Sequence, residues 1–304
     1  MRASRDEGGI HRVARPVRNR WSAFGQGLYL DPVLESLEKP IRTEALDLKE
    51  IKFRIVHISD THISPFGHFA GEVFDRAAKR ISKLDPRPDL TIHSGDLTNN
   101  GVLPEYELAL EKLKLFELRP LFCPGNHDQM NYGQSLFREM VSPMDVEEDV
   151  GKMVVFLMNS PMPDRDEGRL GRRRQSFLDE RLEAIGKDRF RVVVFHHHLV
   201  PVPLAGRETN VMEDAGDVLE MLLRHGVDLV VMGHRHVRRV LRIENTVLLN
   251  ASTLSSIRTR GRLGHSFNVV DVFADGGMRI TEKNLTTDSD LILGEYQREA
   301  SQGC

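Results

Sequence analysis

Five short apolar runs in this chain each end in side chains able to hold a cation, and that pairing limits the fold more than any other feature. The runs are IVHIS before Asp60-Thr61-His62, LTIHS before Gly95-Asp96, LFCP before Gly125-Asn126-His127-Asp128, VVVF before His196-His197-His198, and LVVM before Gly233-His234-Arg235-His236. Four to six apolar residues closed by Gly or Asp read as a buried strand. Each strand then delivers nitrogen or oxygen donors to one edge of a sheet, where open α/β folds keep their ligands.

Between these strands the apolar residues recur at steps of three and four, which predicts amphipathic helices over 72–84, 104–116, 175–185 and 214–225. Strands alternating with helices argue for βαβ units and a largely parallel sheet. After Val237 the pattern changes to strands alone, over 240–250, 266–273 and 278–285, with Gly276-Gly277 turning the last pair. The Arg-rich first twenty residues suggest a flexible arm, and Asp31-Pro32 reads as the start of a short helix that Pro40 would stop. The expected organisation is an N-terminal extension over 1–50, one enzyme domain over 51–287 and a C-terminal tail over 288–304.

The donor spacing carries chemistry. Asp60 and His62 are one residue apart, so on an extended backbone both would face the same side and grip one cation; His234 and His236 repeat the arrangement. Asp96 has two oxygens with which to bridge two cations about 3.5–4 Å apart, a usual separation in two-metal hydrolases. Asn126 adds a neutral carbonyl oxygen. A mixture of imidazole and carboxylate suits Mn, Fe or Zn better than Mg or Ca. The two cysteines, Cys123 and Cys304, support neither a disulfide framework nor a thiolate zinc knot.

The ordered set Asp-x-His, Gly-Asp, Gly-Asn-His-Asp, His-His and Gly-His-x-His resembles the calcineurin-like metallophosphoesterase superfamily over roughly 51–285. The resemblance implies an α/β fold, a four-layer α/β/β/α sandwich with two mixed sheets, and two divalent or trivalent transition-metal ions (Mn, Fe or Zn). Carried over by position, Asp60, His62, Asp96 and His236 would hold one ion; Asn126, His196 and His234 would hold the other, with Asp96 shared. The similar cyclic-nucleotide and glycerophosphodiester branch reads His-His-Pro-Pro-Val-Pro, which aligns without a gap on His196 to Pro201 and makes His196 the ligand. His198 stands where that branch has its first proline, so His197 remains the alternative. His127 would stay off the metals and serve the substrate phosphate as general acid, with Asp128 fixing its tautomer. The implied reaction is attack on phosphorus by a hydroxide held between the metals.

Other residues have plainer readings. His57 and His93 read as core or supporting histidines, His225 and His265 as surface residues, Arg172-Arg173-Arg174 as a solvated cluster, and Arg235 as pointing to solvent or an acidic neighbour. Arg258, Arg260 and Arg262 could include a contact to an anionic substrate, and the loop 201–213 could act as a specificity lid. The Gly168-x-Leu170 and Gln175-x-x-Leu178 pattern resembles cyclic-nucleotide-phosphodiesterase-like members, whereas the Gly-Asp-x-Val-Asp-Arg-Gly signature of Ser/Thr phosphatases is missing after Gly95. A small phosphate ester is therefore the expected substrate. A net charge of −3 gives no bulk attraction to nucleic acid, so a nuclease of the same fold is the alternative and a non-catalytic scaffold a weaker one. No run approaches a membrane span and the start lacks an apolar signal region, so residence in the cytoplasm is expected.

Overall fold

The computed structural model describes residues 50–186, 188–206 and 210–298. Among them, the strands form two six-stranded mixed sheets. The first sheet runs β12 (Ser289–Tyr296), β11 (Met278–Asn284), β10 (Ser266–Phe273), β1 (Ile51–Ile58), β2 (Leu90–His93), β3 (Leu121–Phe122). The second runs β4 (Val146–Val150), β5 (Met153–Leu157), β6 (Phe190–Val194), β7 (Leu229–Met232), β9 (Thr246–Asn250), β8 (Arg239–Ile243). The expected parallel order holds only in part: β1, β2 and β3 are parallel and so are β5, β6, β7 and β9, while antiparallel strands complete the β12 side of the first sheet and both edges of the second.

The period-2 rule assigns each strand's two faces to different layers. Ile55, Ile92, Val192, Val231 and Val270 point into the space between the sheets. Val56 and Ile58 point the other way, onto helices α1 (Gly71–Ile81), α2 (Leu103–Leu113) and α3 (Gly133–Met140) through Phe74, Tyr106 and Phe137. On the second sheet Val193 and Val230 meet α4 (Arg172–Ala184) and α5 (Ala215–Arg224) through Leu178, Leu182 and Leu222. The result is four layers, helices outside and two sheets within.

Three parts of the sequence reading change. The run 240–250 is a hairpin, broken where Glu244 turns to φ 52°. Residues 289–296, expected in a tail, form the edge strand β12 against β11. Helix α3 and strands β4 and β5 were not expected. The arm and the short helix after Asp31 lie outside the described residues. No helix among the described residues is long and apolar enough to cross a membrane.

Candidate metal centre

Because β1, β2 and β3 are parallel, as are β6 and β7, their carboxyl ends open on one edge, and all five polar motifs follow those ends. The expected extended backbone is not what aims the side chains. Asp60, His62, Asp96, His234 and His236 have φ of 53°, 47°, 55°, 77° and 55°. Left-handed non-glycine residues cost on the order of 1–3 kcal/mol each and persist where surrounding structure enforces them. Here the neighbouring glycines allow it. At Gly125 a Cβ would run into the amide and carboxylate of Asp96, and at Gly233 it would strike Ser59 and the Asp60 carboxylate.

The donors fall into two groups that meet at one oxygen. His62 Nε2 lies 3.1 Å from His236 Nε2 and 3.5 Å from Asp96 Oδ2, while His236 Nε2 is 3.3 Å from Asp60 Oδ1. On the other side His196 Nε2 lies 3.2 Å from the same Asp96 Oδ2 and 3.1 Å from Asn126 Oδ1, with His234 Nδ1 also 3.1 Å from that Asn126 oxygen. Two ligands about 2.1 Å from one ion and about 90–110° apart stand about 3.0–3.4 Å from each other, so the spacing is that of coordination shells.

The protons lead to the same reading. His196 Nδ1 donates to the Ser94 carbonyl at 2.8 Å, and His236 Nδ1 donates to the Arg258 carbonyl. In its neutral form each ring turns an Nε2 lone pair toward oxygens of the cluster. The Asn126 amide nitrogen donates outward to Asp166 at 3.3 Å, so its oxygen faces inward. Nitrogen and oxygen donors for a cation thus converge, and buried His62 Nδ1 and His234 Nε2 have no hydrogen-bond partner. Burial opposes charge on His196, yet the Asp96 carboxylate lifts it to about 9; burial likewise opposes charge on His236, which Asp60 raises. Burial takes His62 down to about 3. The carboxylates raise His196 and His236 because they concentrate negative potential there, which a pair of cations would offset, and the donor set fits Mn, Fe or Zn.

The supporting groups divide the three consecutive histidines. Both nitrogens of His197 are engaged, Nδ1 with Ser160 Oγ at 3.0 Å and Nε2 with the Asp166 carbonyl at 3.0 Å. His198 Nε2 reaches the Gly233 carbonyl at 2.8 Å, which leaves His196 as the member turned into the cluster. His93 accepts from the Gly95 amide at Nδ1 and meets Thr61 Oγ1 through Nε2 at 3.0 Å, while His57 meets Ser94 Oγ at 2.8 Å.

His127 borders the cluster, its ring edge-on to His62 at 4.6 Å and its amide donating to Asp96 Oδ1 at 2.9 Å. A nitrogen of its ring lies within 4.8 Å of donor atoms of both His62 and Asp96. Asp128 does not orient it. His127 Nδ1 donates to the Asn99 carbonyl at 2.6 Å, which fixes Nε2 as the free nitrogen. The Asp128 carboxylate, fully buried, instead accepts from the amides of Leu97, Thr98 and Gly125 and from Thr98 Oγ1, at 2.8–3.1 Å. Burial pushes it up to about 6.

Arg235, expected to face solvent or an acid, is buried away from solvent, and its Nε donates to the Ala205 carbonyl at 2.8 Å. His225 is buried against Asp179 rather than free on the surface. Within the arginine run, Arg174 holds Asp145 at 2.9 Å. Asn99, Asp166 and Ser160 support the site and were missed, and Arg258, expected as a contact to an anionic substrate, supports it through its main chain. Three of them, Asn99, Asp166 and Arg258, act through main-chain carbonyls, which no side-chain motif records.

A family model described as calcineurin-like phosphoesterase matches residues 53–238. A probable glycerophosphodiester phosphodiesterase of Arcobacter nitrofigilis is 28% identical over 200 residues, 61% of this chain and 72% of the relative. A probable cyclic nucleotide phosphodiesterase of Xenorhabdus bovienii is 23% identical, covering 73% of this chain and 96% of the relative. Among solved structures, a dimetal phosphatase from Danio rerio superposes with a TM-score of 0.64 at 12% identity, covering 82% of this chain and all (100%) of that one, a likeness of fold.

Proposed function

The chain belongs to the calcineurin-like phosphoesterase family, and on that footing we propose that it is a phosphodiesterase whose site residues are Asp60, His62, Asp96, Asn126, His196, His234 and His236, with His127 serving the substrate. It is a hydrolase of phosphoester bonds. The observation that carries the reading is the meeting of two donor groups at Asp96 Oδ2 beside a histidine whose free nitrogen is fixed. Two cations, in our reading Mn, Fe or Zn, supply Lewis acidity that acidifies water and neutralises phosphoryl charge.

The chain's own residues do the rest. Asp96 and Asn126 hold their oxygens inward because His127 and Asp166 occupy their outer atoms. His127, anchored at Nδ1, presents Nε2 to the departing oxygen and in its doubly protonated form gives it the proton, which water used in the attack replaces. Water adds to phosphorus, one ester P–O bond breaks, and the alcohol leaves with the proton, giving a monoester and an alcohol. A small diester is favoured by the cyclic nucleotide and glycerophosphodiester phosphodiesterases among the relatives.

The test is turnover of bis-p-nitrophenyl phosphate against p-nitrophenyl phosphate by chelator-stripped protein reloaded separately with Mn, Zn and Fe. Diester turnover that returns with metal and exceeds monoester turnover is the expected result. Monoester turnover alone, or none with metal bound, would overturn the reading.

A further inference from the structure

Large apolar side chains left in water tend to be scattered singly over a protein surface. Here they are not. Among the described residues the four most exposed are Phe66 at 66%, Tyr132 at 64%, Ile257 at 58% and Leu204 at 57%, ahead of Leu118 at 52%. Each of the four sits on a loop that leaves the sheet edge carrying the metal donors. Phe66 follows His62, Tyr132 follows His127, Leu204 follows the histidine run after β6, and Ile257 follows β9.

Three of these loops are joined into one rim. The Ile257 amide donates to the His68 carbonyl at 3.0 Å and the Ala70 amide to the Ser255 carbonyl at 2.8 Å, tying the Phe66 loop to the Ile257 loop. Leu204 Cδ1 would lie 3.1 Å from a methyl placed on Gly261, and Arg260 donates to the Ala205 carbonyl at 3.3 Å, so the third loop abuts the same segment. That segment reaches the metal centre, since the Arg258 carbonyl accepts from His236. The segment that carries Ile257 therefore links the loops of the apolar rim to the metal centre, and it also carries the exposed Arg258.

Resting on the phosphodiesterase reading, we infer that this collar receives a bulky apolar substituent on the non-departing alcohol of the diester, so that amphiphilic diesters are preferred among those the site takes. The collar supplies binding through removal of apolar surface from water, roughly in proportion to the area covered.

A series of p-nitrophenyl alkyl phosphates from methyl to octyl, each releasing the same chromophore, tests this in the metal-loaded full chain. The expected result is a kcat/KM that rises at least about tenfold along the series, what burying roughly two methylenes is worth. The double variant Phe66→Ser, Ile257→Ser flattens that rise and leaves the methyl ester and the bound metal unchanged. Leu204→Ser, on a separate loop, repeats the test. A flat series in the parent, or equal loss on methyl and octyl esters in the variants, would overturn the inference alone. A flat series with binding to phosphatidylserine vesicles would give the collar to a membrane surface, and a flat series with a dimer that the variant dissociates would give it to a second copy. No turnover of any ester with metal bound would remove the phosphodiesterase reading itself.

Discussion

Two neighbours in one motif, His127 and Asp128, have opposite surroundings and should fail in opposite ways. His127 touches solvent and holds only the Asn99 carbonyl through its ring. His127→Ala should lower kcat by about 10²–10⁴-fold with metal content unchanged, checked by steady-state kinetics beside elemental analysis. Asp128 is buried and satisfies three amides and a hydroxyl. Asp128→Ala should cost roughly 3–5 kcal/mol of stability, because each buried donor left unpaired costs about 1–3 kcal/mol, and urea denaturation measures it. The motif itself was legible in the sequence, since Asn, His and Asp announce their chemistry by type. The tautomer of His127 was not: its partner is a backbone oxygen from the turn after β2, which any residue type would supply.

Strand ends succeed here because the elements behind them are held closely. Gly233 brings the end of β7 against Ser59 and Asp60, and it does so with a backbone that other residues can adopt. Gly233→Ala should therefore cost about 1–3 kcal/mol through crowding and weaken metal binding, read by denaturation and by metal titration. The link just after that turn is Arg238 Nε to Glu282 Oε2 at 2.9 Å, from the second sheet to β11 of the first, with the Glu282 side chain 2% exposed. Removing one partner of a buried pair costs about 3–5 kcal/mol, whereas replacing both by apolar residues is often neutral. Because the Arg238 side chain is 26% exposed and can reach water while Glu282 cannot, Arg238→Met alone, which strands the Glu282 carboxylate, should destabilise more than the pair Arg238→Met, Glu282→Leu, by urea midpoint. Elements ending in a ligand were found from the sequence, and helices with a clean apolar stripe were found within a few residues. Strand β4 was missed because its edge position leaves Glu147, Glu148 and Asp149 partly in water, and β12 because Leu291 and Ile292 face out among polar neighbours. Strand β5, fully buried, reads like any short apolar run when no ligand follows it.

Taken as one body, residues 50–298 are two sheets whose ligand-bearing ends meet, and the cost of that meeting is a buried cluster of carboxylates and imidazoles. A cation that binds only the folded chain stabilises it by mass action, about 2.7 kcal/mol at a hundred times its Kd. Chelation should therefore lower the melting temperature, and added Mn or Zn should raise it again with concentration. The four-layer architecture came from the motif set's resemblance to a family; strand and helix alternation alone suggested a mostly parallel sheet, because antiparallel edges leave no mark on central strands. The central claim is that Asp96 Oδ2 serves two ions. Elemental analysis of metal per chain, on the parent, Asn126→Ala and Asp96→Ala after equilibration with Mn, tests it most directly. Two equivalents in the parent, one in Asn126→Ala and less than one in Asp96→Ala is the expected result. A single equivalent in the parent, or two retained by Asp96→Ala, would contradict it.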